Sequence, residues 1–195
     1  MHRILVTVGS TFFDPLIAAV TCDSFLRLCS TLGFTHMTLQ IGSGKIPVLP
    51  TETPIKLECL TFTNDLRALM LSADVIICHA GAGTLLEAMR LPPPPGNNST
   101  RRTIITVVNE SLMDNHQHEL ASQLSAMGFI RNSTLHNLSV ALRQSAAASK
   151  VSVNHNDADP EGWLKSPPPL TRFPSRNDTF LPFLLDAEMG FSPSS

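Results

Sequence analysis

Behind the apolar run Val75 to Cys78 stand His79, Ala80, Gly81, Ala82, Gly83 and Thr84, with Glu87 three positions further on. Such a set has the chemistry to seat a diphosphate. Gly81 and Gly83 remove the Cβ atoms that would hold an anion away from backbone N–H groups, and Thr84 adds a hydroxyl. A helix opening at Ala82 would point its unbonded N–H groups and positive dipole end at that anion. Glu87, about one helical turn further in, would reach the hydroxyls of an attached ribose. His79 ends the strand, where a histidine serves either as support for a bound anion or as a hydrogen-bonded edge residue. Strand, Gly-rich turn and helix also join elements in proteins that bind nothing, so a lone Gly-x-Gly does not separate the two cases.

Positioning this turn requires a framework, and the hydrophobic pattern supplies one. Strands are expected at residues 3–8, 37–41, 55–60, 72–78 and 103–108. Between and after them, helical spacing predicts one helix from Asp14 that carries Leu16, Ile17, Val20, Phe25, Leu28 and Leu32 and stops at Gly33. Further helices are expected at 62–71, 82–90, 112–127 and 137–148, the one at 112–127 opened by the capping-box spacing of Ser111 and Asp114. Alternating strands and helices predict an α/β fold, a Rossmann-like parallel sheet with helices on both faces. In such sheets ligands gather at the carboxyl edge, so the turns near Gly9, Gly81 and Asn109 should converge there. Gln40 to Gly44 form a second Gly-rich turn. Ser10 and Thr11 offer hydroxyls after Gly9, for binding or equally for capping the helix at Asp14.

The string His79 to Glu87, then Val107 to Ala121 with Asn115, His116 and Gln117, then Ile4 to Asp14, resembles one family in residue type and order. It is the cytosolic catalytic subunit of the eukaryotic two-subunit N-acetylglucosaminyltransferase of the dolichol pathway. That family is similar to the C-terminal, donor-binding half of glycosyltransferase family 28, one lobe of a two-lobed GT-B enzyme. The resemblance spans residues 3–145 and implies a UDP-N-acetylglucosamine site made by Gly9, Ser10, Thr11, His79, Ala80, Gly81, Ala82, Gly83, Thr84, Glu87, Asn115 and Gln117. It implies transfer of N-acetylglucosamine to N-acetylglucosaminyl-diphospho-dolichol, with inversion. It also implies a heterodimer with a membrane-anchored, acceptor-binding subunit, hence a place in the cytoplasm and at the cytosolic face of the endoplasmic reticulum. No catalytic residue is assigned: the base belongs to the acceptor lobe, and His79 is donor support. Taken alone, Asn115, Gln117 and Glu87 also fit solvated helix positions.

Competing classes fare less well. A nicotinamide-dependent oxidoreductase needs a Gly-x-Gly-x-x-Gly first turn, and this chain has Gly9-Ser-Thr-Phe12. A UDP-sugar-binding regulatory protein without turnover stays open as the alternative. With 14 Lys and Arg against 16 Asp and Glu, and those cations scattered apart from Arg101 and Arg102, no nucleic-acid partner is expected. No cofactor and no metal are expected. Asp157-Ala-Asp159 sits in a polar stretch, and His116, His118 and Glu119 lack zinc-motif spacing. Cys22, Cys29, Cys59 and Cys78 show no Cys-x-x-Cys pair, which fits reduced thiols. The first apolar run is too short for a signal-peptide core. Asn98-Ser-Thr100 and Asn177-Asp-Thr179 would then stay unglycosylated.

The organisation expected is a nucleotide-binding domain at 1–150 with a Pro-rich inserted loop at 91–102, a Pro/Ser-rich linker at 151–178, and an amphipathic segment at 179–195. Phe180, Phe183, Leu184, Ala187 and Phe191 recur there at helical spacing. The stripe either folds back on its own domain or docks the partner.

Overall fold

The parallel sheet grows from strands whose residues alternate between two cores. In the computed structural model, which describes residues 2–93, 102–108 and 115–150, these strands are β1 (His2–Thr7), β2 (Phe34–Gln40), β3 (Lys56–Leu60), β4 (Val75–His79), β5 (Thr103–Val107) and β6 (Arg131–Ser133). All neighbouring strands pair in parallel. Six helices connect and follow them: α1 (Asp14–Thr21), α2 (Asp23–Thr31), α3 (Leu66–Ser72), α4 (Ala82–Met89), α5 (Asn115–Ala126) and α6 (Leu138–Lys150). Ile4, Val6, Ile77 and Ile105 face one layer with Leu16, Val20, Phe25 and Leu142. Leu5, Ile76 and Ile104 face the other, with Met70, Leu85, Ala121 and Leu124. The period of two along each strand divides the helices between the faces.

The sheet runs β3-β2-β1-β4-β5-β6. The chain starts in the middle, builds outward through β2 and β3, then crosses back to lay β4 on the other side of β1. That reversal opens a crevice between the carboxyl ends of β1 and β4, the topological switch point of an open α/β sheet.

At the opposite, amino edge, the polar groups are closed off. The Arg3 N–H donates to Asp74 Oδ2 at 2.8 Å, and the Asp74 N–H donates to the Arg3 carbonyl at 2.9 Å. Arg102 is not part of a basic surface. It is 3% exposed, and its Nε, Nη1 and Nη2 donate to the carbonyls of Ala73, Pro92 and Leu71 at 2.5, 2.6 and 2.8 Å. One guanidinium thereby closes the C-terminal end of α3 and pins the start of the Pro-rich loop. Burial lowers its pKa, and Asp74 opposes that shift.

Several expectations are corrected. The single helix from Asp14 is two, because Cys22 adopts an extended backbone (φ −68°, ψ 147°). The preceding turn supplies the reason: the Thr21 hydroxyl bonds back to the Ile17 carbonyl at 2.8 Å and Cys22 Sγ to the Ala19 carbonyl at 3.1 Å, competing with continuation of the helix. Gly33, φ +89°, follows α2 as expected. Helix α3 begins later than expected, at Leu66, since the Asp65 side chain caps the Ala68 N–H at 2.8 Å. Strand β6 was not expected at all; three polar residues at the sheet edge carry no apolar alternation. Residues 94–101, Asn109, Ser111, Asp114, the linker at 151–178 and the segment at 179–195 lie outside the described residues. Among the described residues, no helix is long and apolar enough to cross a membrane.

Candidate functional site

Because β1 pairs with β4 and Thr7 stands opposite Cys78, the turns that follow them leave the sheet side by side. His79 fills the space between. Its residue is 7% exposed, and the ring lies so close to Gly81 that a Cβ there would stand 2.2 Å from Nε2 and 2.9 Å from Cε1. A Cβ on Gly9 would come 3.2 Å from His79 Cε1 and 3.5 Å from Thr84 Oγ1. Any residue other than glycine at 81 would therefore displace the imidazole. Gly9 carries a second constraint, φ +64°, which L-side chains rarely adopt. Gly9, His79, Gly81 and Thr84 thus meet at one point, although Gly9 is some seventy positions away in the chain.

The electrostatics at this point favour an anion. Helix α4 begins at Ala82 with Gly81 as N-cap, no side-chain capping bond is made there among the described residues, and no acidic residue sits in the first turn. The positive end of the helix is left uncompensated by any carboxylate of the first turn. Among the described residues nothing lies within 4 Å of the place a Cβ on Gly83 would take, so their packing does not demand its small size. Burial lowers the His79 pKa from its ordinary value; the Thr7 backbone opposes this, while Nδ1 makes no hydrogen bond of ordinary geometry among the described residues. The ring is neutral at neutral pH, one nitrogen a donor and the other an acceptor.

The other expected residues divide. Ala80 is fully buried in the core layer of α3, α4 and α5, so only its backbone faces the turn. Ala82 is exposed, and Thr84 and Glu87 are half-buried on α4. Ser10 does not cap α1: Phe13 is the N-cap and no side chain bonds there. The Thr11 carbonyl accepts the Ser43 N–H at 3.0 Å, which ties the first turn to the Gly-rich turn after β2. The Gly9 N–H is engaged inward, donating to Gln40 Oε1 at 3.1 Å and Thr7 Oγ1 at 3.3 Å. What Gly9 supplies is its shape. Asn115 opens α5, its side chain outside the described residues. Gln117 is half-buried, with a buried Oε1 lacking a hydrogen-bond partner among the described residues, an acceptor fit for a ligand hydroxyl.

Gln40 escaped the sequence reading. The clue was a glutamine closing the strand pattern of Met37 and Leu39 just before a Gly-rich turn, a polar side chain where burial was expected. A cleft of about 790 Å³ lies elsewhere along the carboxyl edge, between Phe13, Val108, His118, Asn132 and α6. Among the described residues, none of the expected site residues lines it; Gly9, His79, Gly81 and Thr84 meet at the β1/β4 crevice instead. No group of three or more His, Cys, Asp or Glu suited to a metal occurs among the described residues.

With this geometry in view, the similarities to known proteins are informative. The model of the glycosyltransferase family 28 C-terminal domain matches residues 3–161. The UDP-N-acetylglucosamine transferase subunit ALG13 of Mus musculus is 37% identical over 131 residues, covering 67% of this chain and 10% of that protein. Its Homo sapiens counterpart is also 37% identical over 131 residues, with 67% and 11% covered. The same-named protein of Cryptococcus neoformans var. neoformans serotype D (strain JEC21 / ATCC MYA-565) is 29% identical over 164 residues, covering 69% of this chain and 78% of that one. The chain therefore spans about a tenth of the length of the mouse and human relatives. In fold it is similar to the NMR solution structure of ALG13, with TM-score 0.54, 24% identity, and 74% and 85% of the two chains covered. It is likewise similar to Acinetobacter baumannii MurG, with TM-score 0.52, 19% identity, and 76% and 42% covered. The architecture is that of one lobe of a GT-B glycosyltransferase. Matched from its first strand to beyond α6, the chain belongs to the glycosyltransferase family 28 C-terminal domain family.

Proposed function

We propose that this chain is the donor-binding subunit of a glycosyltransferase that moves N-acetylglucosamine from UDP-N-acetylglucosamine to N-acetylglucosaminyl-diphospho-dolichol. The observation that carries this reading is the crevice between β1 and β4, where Gly9, His79, Gly81 and Thr84 converge on a helix start whose first turn carries no acidic residue. Backbone N–H groups of Ala82, Gly83 and Thr84 hold the diphosphate, Glu87 the ribose, and Asn115 and Gln117 the sugar. As the acceptor hydroxyl attacks the anomeric carbon, the bond to the diphosphate oxygen breaks and negative charge grows on the leaving UDP. The N-terminus of α4 stabilises that charge, and neutral His79 donates or accepts a hydrogen bond without adding charge of its own. The acceptor, its base and the membrane anchor come from a partner subunit at the cytosolic face of the endoplasmic reticulum. Support for a partner comes from the relatives, which are named as subunits.

Calorimetric titration with UDP-N-acetylglucosamine, then a transfer assay with and without the membrane subunit, tests the proposal. Donor binding by the chain and transfer only by the pair are expected; no binding in either setting rejects it. Binding without transfer in the presence of the partner would favour a regulatory protein. The apolar stripe of residues 179–195 is proposed as the docking element, so its deletion should weaken co-purification with the partner while the thermal unfolding midpoint stays in place.

A further inference from the structure

We infer that Gln40 is a positioning residue for the donor site, holding the Gly9 turn in the conformation that the diphosphate needs; this rests on the function proposed above. Gln40 closes β2 and is 2% exposed, with its amide inside the carboxyl edge of the sheet. Its Oε1 accepts from the Thr7 hydroxyl and from the Gly9 N–H at 3.1 Å. Its Nε2 donates to the Gly9 carbonyl and to the Thr61 carbonyl, both at 2.7 Å. Two acceptor positions and two donor hydrogens are all engaged, so the amide is saturated and has one orientation. Both polar backbone groups of Gly9 close on this one side chain, which selects the left-handed turn over alternatives that would leave the amide half bonded.

The consequence reaches three strand ends. Thr61 leaves β3, Gly9 leaves β1, and the Gly42 N–H shares the Thr61 carbonyl at 2.9 Å. Gln40 therefore sets the height of the β1 turn relative to the rest of the edge. On the far side of that turn stands the His79 ring, within contact distance of any atom added to Gly9. Hydrogen bonds from β2 and the ring from β4 grip the same residue. Release of the first would let Gly9 move into the space in front of α4, where the diphosphate is proposed to lie.

The test compares the parent chain, Gln40→Met and Gln40→Glu, each assayed with the membrane subunit and, alone, by amide hydrogen exchange. Methionine keeps the volume and removes all four hydrogen bonds. Glutamate retains the acceptor positions and, ionised, has no hydrogen for the two carbonyls. Gln40→Met is expected to speed exchange of the Gly9 amide by about tenfold while the Val6 and Ile77 amides keep parental rates. It is expected to raise donor KM by about tenfold with kcat within about threefold, the signature of lost ground-state binding. Gln40→Glu should show the same split and recover toward the parent as acid protonates the carboxyl and restores one donor. Unchanged KM in a folded variant whose Gly9 amide exchanges faster would overturn the inference, as would KM and kcat changes that merely track the folded fraction. Should both variants fail to fold, Gln40 is a folding residue and the inference is likewise overturned. Failure of the parent itself to bind UDP-N-acetylglucosamine would reject the proposed function, a result distinct from parent-like donor binding by the variants.

Discussion

Arg102 and His79 are both buried polar side chains at ends of the sheet, yet one is complete and the other is not. At the amino edge, Arg102 donates from three nitrogens to three carbonyls, and Asp74 lies close enough to favour its charge. At the carboxyl edge, His79 Nδ1 and Gln117 Oε1 are buried without hydrogen-bond partners among the described residues. An unsatisfied buried polar atom costs about 1–3 kcal/mol, so a fold retains one where something other than stability is served. The three Arg102 hydrogen bonds hold the structure together. The open polar atoms lie at the edge where we propose that the donor binds, beside a helix N-terminus without a side-chain capping bond among the described residues.

Substitution at each edge should separate the two roles, and the largest effect is expected at Arg102. Arg102→Met strands three carbonyls in the interior and should lower the stability measured by urea unfolding by about 3–5 kcal/mol, with donor affinity per folded molecule unchanged. Loss of donor affinity in the folded fraction would erase the contrast. Glu87→Ala reverses the pattern: donor binding should weaken by about 1–3 kcal/mol in a calorimetric titration, and stability should move by less than about 0.5 kcal/mol. Equal affinity would remove Glu87 from the site.

Gly83→Ala sharpens the comparison because the two effects should have opposite signs. None of the described residues occupies the space a Cβ would enter, so alanine should stabilise the helix by up to about 0.5–1 kcal/mol. The same methyl group would stand where the diphosphate approaches, and affinity should fall by about 1–2 kcal/mol. A more stable protein with undiminished binding would place the diphosphate elsewhere.

The smallest effect is on pH dependence. Burial lowers the folded-state pKa of His79, so the unfolded chain takes up the proton first as pH falls. The stability associated with the neutral ring is full above the unfolded value of about 6.5 and is lost as pH drops through the lowered folded value. His79→Gln should flatten the unfolding free energy across this window. A parallel slope in the variant would assign the acid sensitivity to other groups.

Much of this framework was legible in the residues. The apolar runs of β1, β4 and β5, each buried on both faces, and the glycines behind β4 announced a parallel sheet with a tight turn leading from β4 into a helix. Local competition was harder to see. Thr21 and Cys22 look helical by periodicity, and only their side-chain bonds to preceding carbonyls explain the break between α1 and α2. Strand β6 has no pattern of its own; Arg131, Asn132 and Ser133 become a strand because β5 offers them an edge to pair with. Ser10, which fits an N-cap by residue type, is displaced from that role by Phe13.

Residue order along the chain was sufficient for most of the elements and for the Gly81 turn, because hydrophobic period, missing Cβ atoms and helix-end chemistry act within a few positions of one another. It was not sufficient for the partners of that turn. That β4 returns to lie beside β1, that His79 then wedges between Gly9 and Gly81, and that Gln40 closes on both polar groups of Gly9 all follow from strand order. Strand order is set by contacts between segments tens of residues apart, whose energies depend on how the whole sheet and its two helical layers pack, and no local pattern encodes them.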